Sequence, residues 1–171
     1  MPPHFYSMGC MNVIEAMRSL RTLAAVLCLM MISTGCASAL PRPAAGCPPE
    51  IGEKAAKTAV SMIGRPYKYR GDSPTGFDCS GLVRYSYLAA GKDAPHGTKQ
   101  LRTVTGPVGK ADMREGDLLF FNENGKKYSH VGIYLEGDVF VHAPSTGGKV
   151  RRESLRDPHW EKSFLEARRF Q

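Results

Sequence analysis

Downstream of residue 114 the sequence breaks into short apolar segments punctuated by Gly, Asn, Asp and Pro: Asp117 to Phe121, His130 to Leu135, Val139 to Ala143, Val150 to Glu153 and Phe164 to Phe170. Segments of this length bounded by turn formers read as strands. A parallel pair needs a crossover of a dozen or more residues, usually a helix, and no helical period separates these segments. They are therefore predicted to form an antiparallel sheet of roughly five strands. Two helical patterns stand ahead of it. In "PPEIGEKAAKTAVSMIGRPY" Pro49 suits a helix start, Ile51, Ala55, Ala59 and Met62 share one stripe, and Gly64 and Pro66 stop it. In "GFDCSGLVRYSYLAAG" Asp78 can cap, Leu82, Val83, Tyr85 or Ser86 and Leu88 recur at helical spacing, and Gly91 ends the run. Helices first and strands afterwards give an α+β fold, with residues 92–114 between them read as a loop.

The front of the chain has a different character. After Met17 come Arg18 and Arg21, an unbroken apolar run from Leu23 to Ile32, and small residues ending in Gly35-Cys36. Positive, apolar, small is the order of an export signal. The run is too short to span a membrane, which takes about 20 apolar residues. Residues 1–35 are read as a cleaved signal, with Met17 as an alternative start, 36–50 as a Pro/Ala-rich tether, and 51–171 as the folded domain. Cys36 after Ser-Thr-Gly resembles the lipobox of bacterial lipoproteins, whose cysteine carries a diacylglycerol. Ser33 stands where Leu, Val or Ile is usual. The other reading is a plain secretory cut at Ala37-Ser38-Ala39. Ala37 after the cysteine resembles outer-membrane sorting, so a lipid-anchored protein facing the periplasm is expected. Cys47 and Cys79 would then share an oxidising compartment, where two thiols ordinarily suggest a disulfide. The mobile tether around Cys47 argues against one.

The formal net charge is +7, and beyond residue 35 there are 21 basic and 15 acidic side chains, so the basicity belongs to the folded part. Such a balance suits an anionic partner: nucleic acid, a phospholipid surface or an acidic wall polymer. No basic run is interleaved with aromatics, and Lys126-Lys127 and Arg151-Arg152 read as solvated charges, so nucleic acid is not expected.

Cys79 falls in the first turn of the second helix, where unpaired backbone N–H groups and the positive end of the dipole favour thiolate. Its position suits a nucleophile, and equally a small buried hydrophobe. A thiolate nucleophile needs a base and a group to orient that base. If Glu136-Gly137-Asp138 is a three-residue hairpin loop, residue 135 pairs with 139 and 132 with 142, so His130 and His142 project from one face a diagonal step apart. A two-residue loop would turn one away. His4, His96 and His159 read as ordinary polar residues. Zinc is disfavoured because the Cys and His spacings lack local pairing, and a thiol mechanism requires no cofactor.

Together these residues resemble the NlpC-type cysteine peptidases of bacterial cell walls, a family with a compact papain-like core. "GRPYKYRGDSPTGFDCSGLV" resembles the nucleophile motif, "REGDLLFF" the strand after it, "SHVGIYL" the base motif and "FVHAPSTGGKVRRESL" the third-residue strand. The resemblance implies Cys79 as nucleophile, His130 as general base and His142 as the residue orienting it. It also implies that Tyr67 leans toward the centre, and that the Cys79 N–H, with Ser80 beside it, is associated with the oxyanion. Where relatives carry two glycines after the aromatic residue, Arg70 replaces the first, a long cation that either borders the substrate cleft or points into solvent. The implied activity is hydrolysis of a peptidoglycan stem-peptide bond, either γ-D-glutamyl to diaminopimelate or the D-alanyl to diaminopimelate crosslink. The rivals are a catalytically inactive wall-binding lipoprotein and an amidase or acyltransferase using the same thiolate.

Overall fold

The computed structural model describes residues 48–123, 125–145 and 148–171. The signal segment, the Met17 start, Cys36, Cys47 and His4 lie outside the described residues. Helix α1 runs over Pro49–Ser61 with proline in its first turn, and buries Ala55 and Ala59 of the predicted stripe together with Ala56, while Ile51 and Met62 are half-buried. A two-rung hairpin follows, β1 (Asp72–Ser73) against β2 (Gly76–Phe77). It leads directly into α2 (Cys79–Ala89), capped by Asp78. The stretch read as a loop contains α3 (Thr98–Thr103), β3 (Thr105–Val108) and a 3₁₀ turn at Lys110–Asp112. Then come β4 (Leu118–Glu123), β5 (Lys126–Tyr134), β6 (Val139–His142), β7 (Arg151–Ser154), α4 (Pro158–Ser163) and β8 (Phe164–Phe170).

The sheet has six strands rather than five, in the order β3-β8-β4-β5-β6-β7, and every neighbouring pair is antiparallel. The extra strand is β3. It is short and contains Pro107, which has no N–H to give a ladder and is tolerated at an edge. α4 occupies the connection between β7 and β8, yet makes no parallel crossover.

Both faces of the sheet are covered, which explains the unbroken apolar "LLFF" of β4. Leu118 and Phe120 pack with Val131, Ile133 and Val141 against α1 and α2. Leu119 and Phe121 pack on the opposite face with Phe140, Leu155 and Trp160 of α4. Each such side chain contributes about 1.5–3 kcal/mol by leaving water. The entry to β4 is tied to β8 by Asp117, only 1% exposed, whose two oxygens take the Arg169 guanidinium at 2.6 and 2.7 Å.

Candidate active site

α2 begins at Cys79 because Asp78, extended at φ −91°, caps it. Its carboxylate accepts the Gly81 N–H at 2.7 Å and the Ser80 hydroxyl at 2.9 Å. The helix start is also pressed against the preceding loop. A Cβ on Gly81 would lie 1.9 Å from the Gly71 carbonyl oxygen, so only glycine lets the two backbones approach this closely. Cys79 is partly exposed, and its sulfur accepts the backbone N–H groups of Ser80 and Val131. Val131 directly follows His130 within β5, which sets the sulfur beside the backbone of the base strand.

The histidines come together through register. Ile133 pairs with Val141 and Tyr134 with Phe140, and the Leu135 N–H bonds the Val139 carbonyl at 2.9 Å. The turn is the predicted three-residue loop, although Asp138 (φ +65°) shares the left-handed conformation with Gly137 (φ +60°). Since Val131 and Ile133 face the helices, His130 falls on the other face. There its Nε2 lies 2.8 Å from His142 Nδ1, the rings at 85°. Trp160 packs on both, at 5.6 and 4.9 Å between centroids. Both rings are buried, and His142 Nε2 has no hydrogen-bond partner among the described residues.

Burial, with the Arg151 charge adding to it, brings His130 down to about 4. His142 is held below the ordinary imidazole range by burial and then by its neighbour His130. Both rings are therefore neutral at pH 7. Burial, followed by the Asp78 charge, pushes the Cys79 thiol up to about 12, against the pull of the two backbone N–H bonds. Desolvation thus opposes the favour that the helix terminus lends the thiolate. Thiol and imidazole are each held toward the neutral form.

Cys79 opens into a cleft of about 470 Å³ that is also lined by Tyr67, Tyr69, Arg70, Asp78 and Ser80. Burial and the nearby Cys79 raise the Tyr67 phenol above its usual range. Tyr69 is 78% exposed at the rim. Arg70 is exposed and has φ +55°, the conformation that glycine adopts freely. Three residues at the site have no signal in the sequence. His96 also lines the cleft, its Nε2 at 3.0 and 3.1 Å from the two Asp78 oxygens. Glu123 Oε2 is 3.4 Å from His130 Nδ1, and Oε1 is 3.9 Å from His159 Nε2. His96 and His159 are therefore not merely ordinary polar residues; only folding brings them to partners 18 and 36 positions away. Among the described residues no group of three or more His, Cys, Asp or Glu side chains could hold a metal ion.

Residues 64–169 match the model of the NlpC/P60 family. The chain belongs to the NlpC/P60 family. Its similarity to murein DD-endopeptidase MepH of Escherichia coli K12 is 36% identity over 126 residues, 68% of this chain and 46% of that protein. With the probable endopeptidase NlpC of the same organism it shares 38% over 111 residues, 64% of this chain and 71% of the relative. The chain thus spans about half the length of MepH. Among solved structures, an NLP/P60 lipoprotein-like protein of Staphylococcus aureus Mu50 superposes with TM-score 0.64 at 32% identity, covering 73% of this chain and 43% of that one. The NlpC/p60 domain of peptidoglycan hydrolase SagA gives TM-score 0.59 at 34% identity, covering 68% and 97%. The α+β, papain-like core expected of an NlpC/P60 domain is the fold observed.

Proposed function

We propose that this NlpC/P60 protein is a cysteine endopeptidase of peptidoglycan that hydrolyses a stem-peptide amide bond. The observation that carries the reading is the 2.8 Å His130–His142 pair on a strand whose next N–H, that of Val131, is taken by the Cys79 sulfur at the mouth of a cleft. With His130 Nε2 committed to His142, Nδ1 is the atom that accepts the Cys79 proton. The S–H bond breaks as N–H forms, and sulfur adds to the amide carbonyl carbon, sending its π pair to oxygen. In the first turn of α2, Ser80 N–H goes to Cys79 Sγ, Gly81 N–H to the Asp78 carboxylate and Leu82 N–H to the Asp78 carbonyl. The Cys79 N–H, without an intrahelical partner, is the donor available to the oxyanion. Collapse breaks C–N, His130 returns its proton to the leaving amine, and water releases the acyl group by the same steps in reverse.

The relative named a murein DD-endopeptidase favours the D-alanyl to diaminopimelate crosslink over the γ-D-glutamyl link. Mass spectrometry of muropeptides after digestion of purified sacculi names the bond: crosslinked dimers should fall to monomers. Shortened stems with crosslinks intact would point to the other bond, and unchanged muropeptides would overturn the peptidase assignment.

Arg70 is held in a left-handed conformation that costs a non-glycine residue about 1–2 kcal/mol, at the rim of a cleft facing an anionic substrate. On this reading it binds a substrate carboxylate, and Arg70→Gly should raise KM several-fold with little change in kcat. An unchanged KM would leave Arg70 in solvent. Lipidation of Cys36 and a periplasm-facing outer-membrane location complete the proposal, supported by the order of charges and apolar residues before Gly35-Cys36. Metabolic labelling with palmitate should be lost in Cys36→Ala; labelling that persists would place the lipid elsewhere.

A further inference from the structure

Among the ionisable side chains at the site that have no part in that chemistry, one stands against the ring of His130. Glu123 ends β4, beyond the register shift that follows Phe121. It is anchored by Ser129, whose hydroxyl accepts the Glu123 N–H at 2.8 Å and donates to the Glu123 carbonyl at 3.0 Å. The carboxylate, 20% exposed, has Oε2 at 3.4 Å from His130 Nδ1. Nδ1 is the nitrogen left to take the cysteine proton, so Glu123 stands at the atom where positive charge would appear. Other charged or titratable groups reach His130 from every side: His142 from β6, Arg151 from β7, His159 from α4, and Asp78 ahead of α2. Arg151 and His159 oppose a proton on the ring and Asp78 favours one, but Glu123 is the carboxylate in ion-pair contact with it among the described residues.

The geometry points to Glu123 as a positioning residue that acts through His130: its carboxylate holds the imidazolium formed when the Sγ proton moves to Nδ1, and so sets the fraction of Cys79 present as thiolate. The transfer breaks S–H and makes N–H with no change in the net charge of the pair, and Glu123 gains and loses nothing. A carboxylate attracts the charged ring strongly and the neutral ring weakly, so it favours the product of that transfer. Glu123 also disfavours the thiolate, but that is the smallest of the influences on Cys79. The contact with the ring, Oε2 at 3.4 Å from Nδ1, is the observation on which the inference stands. The inference rests on the thiol–imidazole pair proposed above and not on the identity of the substrate.

The test is the rate at which iodoacetamide alkylates Cys79, followed by peptide mass mapping across pH in the wild-type protein, Glu123→Gln and Glu123→Asp. An opposite charge within about 4–6 Å shifts a pKa by about 1–3 units. With the carboxylate partly solvated, about one unit is expected, so Glu123→Gln should alkylate about tenfold more slowly at pH 7. The deficit should narrow toward about pH 11, where thiolate forms without an imidazolium partner, and Glu123→Asp should recover part of the neutral-pH rate. A merely structural role would alter the rate by the same factor at every pH. That result, or no slowing at pH 7, would overturn the inference. Sacculus digestion by the wild type is read separately: intact sacculi beside the expected alkylation pattern would count against the substrate alone.

Discussion

At the scale of single residues, the site works by withholding charge. Cys79 and His130 are both desolvated, which holds each toward its neutral form, and in the mechanism proposed above reactivity depends on moving one proton between them rather than on a standing thiolate. His142 keeps the receiving ring in place through Nδ1. Replacing His142 by Ala frees that ring and leaves its Nε2 without a partner. The expected result is a fall in kcat of about 10²–10⁴-fold with KM nearly unchanged, measured on purified muropeptides. His142→Asn, whose amide can still bond Nε2, should retain more. A raised KM with kcat intact would instead assign His142 to substrate binding. Both histidines were legible as a pair on condition of a three-residue loop at Glu136-Gly137-Asp138, which is the loop observed and which fixes the register. Glu123 and His96 were not, since their partners are brought by a bulge and by a loop whose course no local pattern encodes.

At the scale of elements, α2 packs Leu82, Val83 and Tyr87 into the core and its first turn is set by a close backbone contact. Gly71 and Gly81 meet where the β1–β2 hairpin touches the first turn of α2, and a methyl at Gly81 has no flexible side chain to displace. Gly81→Ala should destabilise the fold by about 1–3 kcal/mol, read by urea denaturation, and should lower activity further by shifting Cys79 from His130. A variant of native stability and full activity would show that the contact can relax. The two long helices were legible from caps and periodicity, as were five of the six strands of the sheet, although β5 begins at Lys126, four residues ahead of the expected His130. α3, β3 and α4 were missed for different reasons. α3 buries a single residue, Leu101. β3 contains a Gly-Pro pair that reads as a turn. α4 is only six residues long, although Asp157 capping the His159 N–H ahead of Pro158 is a start signal visible in sequence.

At the scale of the whole molecule, the buried histidines make stability depend on pH. His130 titrates near 4 when folded and near 6.5 when unfolded, so above pH 6.5 the ring is neutral in both states and contributes no slope. As pH falls below 6.5 the unfolded chain binds a proton that the buried ring refuses, and stability declines until about pH 4. The loss from His130 alone is about 1 kcal/mol at pH 5.5 and about 3 kcal/mol at pH 4. His142 acts in the same sense, while Glu123, whose carboxyl is raised by burial, works the other way at the acid end. Thermal unfolding should show Tm falling from pH 7 to pH 5, with a shallower slope in His130→Gln; a flat wild-type profile would contradict the buried neutral pair. The fold puts a helix terminus in a cleft and ties its cysteine sulfur to the residue after His130, and the proposal that this sulfur cuts the wall is tested most directly by Cys79→Ala on purified sacculi. The account expects release of peptide products to fall below detection while the variant unfolds at the wild-type temperature, whereas undiminished release by the folded variant would contradict it.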